Sequence, residues 1–229
     1  MREDPRVATA AVLPVKRFER AKERLHPHLD PASRRRLAFA MVSDVVDALQ
    51  RVRLLEVILL VSAEAALEPL VAGRVERLQD PEERGQSAAA LIGMARCREL
   101  GLDRAILVPG DCPLVDPHEI ELLVERAAPF DLVIVPDRHG SGTNAVALRC
   151  EAAFQPRFGP GSLALHVEEA GKRDLRYLVE RVRSLALDVD TADDLAQLRL
   201  ALERSHERAP ATRAALSEIQ RASPLPSPA

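Results

Sequence analysis

A chain of 229 residues, 47% hydrophobic and 29% charged, is long enough to bury the core of one domain of ordinary size. Its 32 Lys and Arg against 35 Asp and Glu leave a net charge of −3, which excludes a global field for nucleic acid or an anionic membrane, so any bound anion is held locally. Three scattered cysteines, Cys97, Cys112 and Cys150, fit neither a disulfide framework nor a paired CxxC metal site and read as reduced cytosolic thiols. The early apolar run, Val7 to Val15, follows Glu3 and Asp4, precedes Lys16 and Arg17, and has no small-residue cleavage site. No run approaches membrane-spanning length, and a soluble cytoplasmic protein is expected.

In chain order, the first strand is expected at Val7–Leu13. A helix follows with Asp30 as its cap and Pro31 as its first residue; Leu37, Met41, Val45 and Leu49 recur along one face and predict a stripe buried against a sheet. Strands are predicted next at Val57–Val61, Ala105–Val108, Leu132–Val135, Ala145–Leu148 and Leu185–Leu187, and helices at Ser87–Leu100, Pro117–Ala127, Leu163–Ala170 and Ala192–Leu202. Such alternation predicts an α/β fold, a mainly parallel sheet covered on both faces, with ligands bound beyond the carboxyl ends of the strands. Residues 1–203 are assigned to this domain. Residues 204–229, punctuated by Pro and Ser, read as a flexible appendage holding at most one short helix, Thr212–Arg221.

Neither GxxxxGK[ST] nor GxGxxG occurs, which disfavours a P-loop enzyme or an ordinary dinucleotide dehydrogenase. The stretch "LPVKRFERAKERL" instead places Lys16, Lys22 and Arg24 in the loop after the first strand, where cations could hold a triphosphate. Two acids stand at strand ends: Asp111 in "VPGDCPLVDP" and Asp190 in "LDVDTADDL". Magnesium favours one or two carboxylates plus phosphate oxygens, and this pair suits it. Asp190 or Thr191 also suits the cap of the helix carrying Leu195 and Leu198; Asp193 and Asp194 fall in its first turn and Asp116 precedes Pro117, so these three receive no catalytic part. The loops "DRHGSGTNAV" and "RFGPGSLALH" combine glycines with Thr143 and Ser162 into an anion cradle, with Ser162 expected to cap the next helix. His139 reads as a loop residue and His166 as a helix-face residue.

Taken together and in this order, "LPVK", "AKERL", "VPGDCPLVDPHEI", "DRHGSGTNAV", "FGPGS" and "DVDTADDL" resemble the phosphoenolpyruvate and 2-phospho-L-lactate guanylyltransferases that make the precursor of the deazaflavin coenzyme F-420. The resemblance covers residues 7 to 200. It implies a three-layer Rossmann-like nucleotidyltransferase fold of the GT-A type, related to the molybdenum-cofactor guanylyltransferases, with a mixed, mainly parallel sheet. It implies a reaction too: GTP and a small phosphorylated three-carbon acid give a guanosine-diphosphoryl acid and pyrophosphate, with phosphoenolpyruvate as the bacterial acid. By residue-wise transfer, Asp111 and Asp190 hold Mg2+, Lys16, Thr143, Gly159 and Ser162 grip the acid, and Lys16, Asp111 and Asp190 are catalytic. Lys22, Arg24, Gly85 and Ser87 are assigned to the nucleotide. Where the family usually carries Gly-Leu-Asn, this chain reads "RGQSAAAL", keeping Gly85 and substituting Gln86 and Ser87.

The expected mechanism is in-line attack of the acid's own phosphate oxygen on the α-phosphorus of GTP, without a general base. Transfer to 2-phospho-L-lactate, 3-phosphoglycerate, a sugar phosphate or molybdopterin, and a non-catalytic nucleotide-binding regulator, stand as alternatives. The expected partners are GTP and the acid, with neither nucleic acid nor membrane; a homodimer and hand-over of the unstable product to the next enzyme stay open.

Overall fold

The computed structural model describes residues 7–26, 28–205 and 207–222. Seven strands form one sheet: β1 (Thr9–Pro14), β2 (Leu55–Val61), β3 (Val75–Leu78), β4 (Arg104–Leu107), β5 (Leu132–Pro136), β6 (Thr143–Arg149) and β7 (Tyr177–Val179). The order is β3-β2-β1-β4-β6-β5-β7. Every neighbouring pair is parallel except the two made by β6. Six helices accompany them: α1 (Pro31–Arg51), α2 (Gln86–Glu99), α3 (Pro117–Ala127), α4 (Ser162–Lys172), α5 (Ala192–Arg204) and α6 (Pro210–Ala222).

Strand residues alternate between two cores because side chains on a strand point to opposite faces in turn. Ala11, Leu13, Ile58, Leu60 and Ile106 face α1 and α3. Ala10, Val12, Leu59, Val61, Ala105 and Leu107 face α2 and α4. Helix α2 lies close on β1 because of Gly93, where a Cβ would sit 2.2 Å from a Val12 methyl. The result is the expected three-layer α/β architecture around a mixed, mainly parallel sheet. The order of strands reverses between β1 and β4, and the crevice beyond their carboxyl ends is where such folds place ligands.

Several expectations need correction. The stripe Leu37, Met41, Val45, Leu49 divides: Val45 and Leu49 meet the sheet, while Leu37 and Met41 pack on α5 and α6 in a third core. Four-residue steps drift by about 40° each on a helix of 3.6 residues per turn, enough to carry one end of the row onto another neighbour. No strand forms at Leu185–Leu187; Arg183–Leu185 is a 3-10 turn, and the Leu185 carbonyl accepts from the Asn144 amide at 2.7 Å and the Cys112 thiol at 3.6 Å. Its apolarity reports burial, not pairing. Strands β3 and β7 escaped prediction because both are short edges: β3 carries Glu76 and Arg77 among its four residues, and β7 is only three residues long.

Among the described residues after 203, α6 packs on the domain and is no flexible appendage. Thr212, Ala215, Leu216 and Ile219 recur at helical spacing on α6 and are buried, and the Asp44 carboxylate of α1 accepts from the backbone of Ala211 and Thr212 at 3.0 and 2.7 Å. That carboxylate caps α6 from another helix, a signal no local window contains. Residues 223–229 lie outside the described residues.

Candidate active site

Beyond Pro14 the chain leaves β1 through Lys16 and Arg17 into two short 3-10 turns, Phe18–Arg20 and Glu23–Leu25. Between them Lys22 adopts φ 58°, a left-handed conformation that costs a non-glycine residue about 1–2 kcal/mol. The strain is offset by what it achieves. Lys22 Nζ lies 2.6 Å from Asp111 Oδ2 and 2.9 Å from Asp190 Oδ1. Its side chain is 4% exposed, whereas those of Asp111 and Asp190 are 27% and 43% exposed, so the acids keep a solvent-facing side and the lysine does not. Burial works against the Lys22 charge, but the two carboxylates outweigh it and raise its pKa above the usual value. Burial likewise opposes the Asp190 charge, and Lys22, with Lys16 and Arg24 behind it, holds that carboxyl below its ordinary value.

Asp190 is free for this role because another residue caps α5. The Thr191 hydroxyl accepts from the Asp194 amide at 3.3 Å while Asp194 Oδ2 accepts from the Thr191 amide at 2.8 Å, a reciprocal capping box. Asp193 and Asp194 also hold Arg138 at 2.5 and 2.7 Å, tying the 137–142 loop to α5. The Val189 amide donates to the Asp111 carbonyl at 3.1 Å, fastening the two acidic loops together. A third acid, Asp188, accepts from the Asn144 amide at 3.2 Å; burial and the nearby Asp111 charge push its pKa up.

A cleft of about 320 Å³ opens above this cluster. Its lining includes Lys16, Lys22, Asp111 and Asp190 together with Asp80, Glu83, Gly85 and Gln86, and Phe18, Met41 and Ala89 add apolar surface. Gly85, at φ 99°, is the residue before α2, so the start of that helix borders the cleft. Arg17, next to Lys16, pairs with the lining residue Glu83 at 2.9 Å.

Thr143, Gly159 and Ser162 are absent from this lining and form a second, neighbouring group. Leu107 of β4 pairs antiparallel with Val146 of β6, so the residues after Leu107 and those before Val146 leave the sheet at the same end. Ser162 is the first residue of α4, with Gly161 in the cap position; its hydroxyl does not cap the helix but accepts from the Thr143 amide at 2.8 Å. His166, expected on the helix face, is fully buried, with Nδ1 2.9 Å from Thr143 Oγ1 and Nε2 2.8 Å from the Arg157 amide. Gly159 is exposed beside this group.

The remaining assignments divide. Lys16 is exposed at the cleft and Arg24 is exposed outside its lining. Ser87 accepts from the Phe158 amide at 2.9 Å, bracing the start of α2 against the 157–161 loop; its neighbour Gln86 is the one that lines the cleft. Sequence reasoning passed over Asn144, Arg138 and Asp188, although all three lie within or beside motifs it singled out.

The donor chemistry at Asp111 and Asp190 fits a magnesium ion. Each carboxylate uses one oxygen, Asp111 Oδ2 or Asp190 Oδ1, on the buried Lys22 ammonium and keeps a partly exposed side whose second hard oxygen would meet the metal. Among the described residues no group of three His, Cys, Asp or Glu side chains could hold a metal, so further ligands would come from phosphate oxygens.

Residues 9–211 match the family described as Guanylyl transferase CofC like. The phosphoenolpyruvate guanylyltransferase of Conexibacter woesei is 39% identical over 221 residues, covering 95% of this chain and 99% of that protein. The 2-phospho-L-lactate guanylyltransferase of Methanothermobacter thermautotrophicus is 38% identical over 201 residues, covering 87% and 88%. Among solved structures, a nucleotidyl transferase from Methanothermobacter superposes with a TM-score of 0.68 at 18% identity, covering 86% of this chain and 99% of that one.

Proposed function

The chain belongs to the CofC-like guanylyl transferases, a nucleotidyltransferase, and from that premise we propose that it transfers GMP from GTP to phosphoenolpyruvate in coenzyme F-420 biosynthesis. A phosphate oxygen of phosphoenolpyruvate attacks the α-phosphorus of GTP, the bond from that phosphorus to the bridging oxygen of the β-phosphate breaks, and pyrophosphate leaves with the electron pair. The product is enolpyruvyl-diphospho-guanosine. Proton bookkeeping needs no base, because the attacking monoester is already ionised.

The observation that carries this reading is the pair of half-exposed carboxylates bridged by buried Lys22 at the mouth of the cleft. Asp111 and Asp190 would hold magnesium, which lowers the charge repulsion between two anionic reactants. The exposed Lys16 adds positive charge on the same side, and the cleft between Lys16 and Gly85–Gln86 receives the nucleotide. Thr143 and Ser162, at the same end of the sheet, donate hydroxyl hydrogen bonds to the small acid. Orientation of both reactants, more than any proton transfer, supplies the acceleration.

The naming of relatives in Conexibacter, Sphaerobacter and Rubrobacter as phosphoenolpyruvate guanylyltransferases favours that acid. Among the described residues no helix is long and apolar enough to cross a membrane; with three buried free cysteines, a cytoplasmic location is the reading that fits. Mass spectrometry after incubation with GTP, magnesium, phosphoenolpyruvate, 2-phospho-L-lactate and 3-phosphoglycerate tests the proposal. The enolpyruvyl adduct is expected to dominate; a different dominant adduct would reassign the acid, and no adduct would reject transfer to this class.

A further inference from the structure

We propose that His166 is a positioning residue for the acceptor substrate: its neutral ring, protonated on Nδ1, turns the Thr143 hydroxyl so that its proton points toward the bound acid. This rests on the reading that Thr143 and Ser162 hold that acid.

The direction of each hydrogen bond follows from what each partner can do. The Arg157 backbone amide can only donate, and it lies 2.8 Å from His166 Nε2, so Nε2 must be the bare, accepting nitrogen. A neutral imidazole then carries its proton on Nδ1. Nδ1 lies 2.9 Å from Thr143 Oγ1, so the ring donates and the hydroxyl accepts. The hydroxyl proton is thereby turned away from the ring. Ser162 is set the same way: its Oγ accepts from the Thr143 amide, which leaves its proton to be donated onward.

Ser162 and His166 stand one helical turn apart on α4, so one helix face controls both the backbone and the hydroxyl of Thr143. Phe158 meets the imidazole edge-on at 5.1 Å and Phe154 lies 5.5 Å away, which restricts the ring to this orientation. Burial, assisted by the Arg157 charge, lowers the His166 pKa from 6.5 to about 4, and the ring stays neutral at physiological pH. Two hydroxyls whose acceptor sites are already engaged within the protein keep a proton to donate, a pair matched to acceptor-only groups, phosphate and carboxylate oxygens, and mismatched to a ligand presenting hydroxyl or amine donors.

The intact protein gives the first test. Nitrogen NMR of the 15N-histidine-labelled chain, with the His166 signals assigned by their loss in His166→Gln, is expected to show the Nδ1-protonated neutral tautomer at pH 7.5. Steady-state kinetics give the second. His166→Gln keeps an acceptor near Arg157 but removes the donor to Thr143, and should raise KM for phosphoenolpyruvate about tenfold, the loss of one charge-assisted hydrogen bond, with KM for GTP unchanged. His166→Asn, whose amide nitrogen falls near Nδ1, should recover most of that loss. In a Thr143→Val background, His166→Gln should add no further defect. An Nε2-protonated ring in the native protein, failure of His166→Asn to recover KM, or defects that multiply in the double variant would overturn the proposal. If Thr143→Val alone leaves KM for phosphoenolpyruvate unchanged, the placement of the acid is wrong and this inference falls with it.

Discussion

The two halves of the candidate site are built in opposite ways. Around Asp111 and Asp190 every principal group is charged, the acids are partly exposed, and two carboxylates share one ammonium. Thr143, Ser162 and His166 themselves carry no formal charge, their three side chains are buried, and hydrogen-bond direction takes the place of charge among them. In the charged half two carboxylates share the one buried ammonium of Lys22, so their solvent-facing sides would accept a further cation. In its neutral counterpart the internal hydrogen bonds fix the hydroxyls in place, which would remove reorganisation from the proposed binding of the acid. A reaction between two anions needs both: charge to quench repulsion, and fixed donors to hold the smaller partner.

The largest effect is expected from breaking the charged half. Asp111→Asn and Asp190→Asn should each lower kcat/KM on the order of 10²–10³-fold, the usual scale for losing one electrostatic contact to a developing charge. Thermal melting should move little, since Lys22 retains one carboxylate partner. Wild-type turnover in either variant would remove that acid from the site.

Next comes the outer support of the same half. Leu25 and Val189, close in sequence to Lys22 and Asp190, share a core with Leu216 and Ile219 of α6. Leu216→Ala should cost about 2–5 kcal/mol by chemical denaturation, the range for a truncated core leucine. Truncation after Arg208 should cost more, because it also strips Asp44 of the amides it accepts from. Melting unchanged by truncation would mean that α6 contributes no core.

In the neutral half, acid should be the disruptive agent. His166 binds its proton with a folded pKa of about 4 against 6.5 unfolded. Its contribution is therefore fully present above pH 6.5 and is lost as pH falls toward 4, because the unfolded ring takes up a proton that the folded ring refuses. The total is on the order of 3 kcal/mol. His166→Gln should flatten that limb of the stability curve; an identical acid limb in variant and wild type would contradict the neutral, buried ring.

The smallest effect separates bracing from binding. Ser87→Ala should cost about 1 kcal/mol of stability by freeing the Phe158 amide. KM for GTP should stay within about twofold, a difference worth less than one neutral hydrogen bond. A large rise in that KM would return Ser87 to the nucleotide site.

Much of this was legible in the sequence because it is local. Buried strands such as Ala105–Val108 announce themselves as apolar runs, and Asp30–Pro31 and Asp116–Pro117 give helix starts that the structure reproduces at Pro31 and Pro117. The residues Asp111, Asp190, Thr143 and Ser162 sit in motifs at strand and helix ends, where backbone geometry presents side chains to ligands. What escaped is non-local. Lys22 looked like one more loop cation; only the meeting of three distant segments seats its ammonium between two acids. His166 lay on a helix of ordinary periodicity, and its buried partners come from β6 and from the loop before α4. The packing of α6 depends on Asp44, 167 positions from Ala211. Edge strands β3 and β7, four and three residues long, are too short to show a periodic pattern.

Substrate-resolved kinetics of Ser162→Ala test the division between the halves most directly. With phosphoenolpyruvate and GTP each varied at saturating levels of the other, the account expects KM for phosphoenolpyruvate to rise about tenfold, the scale of one hydrogen bond to a charged group, while KM for GTP stays unchanged. A rise confined to the GTP side would contradict it, and would place the nucleotide on the hydroxyls and the acid beside Asp111 and Asp190.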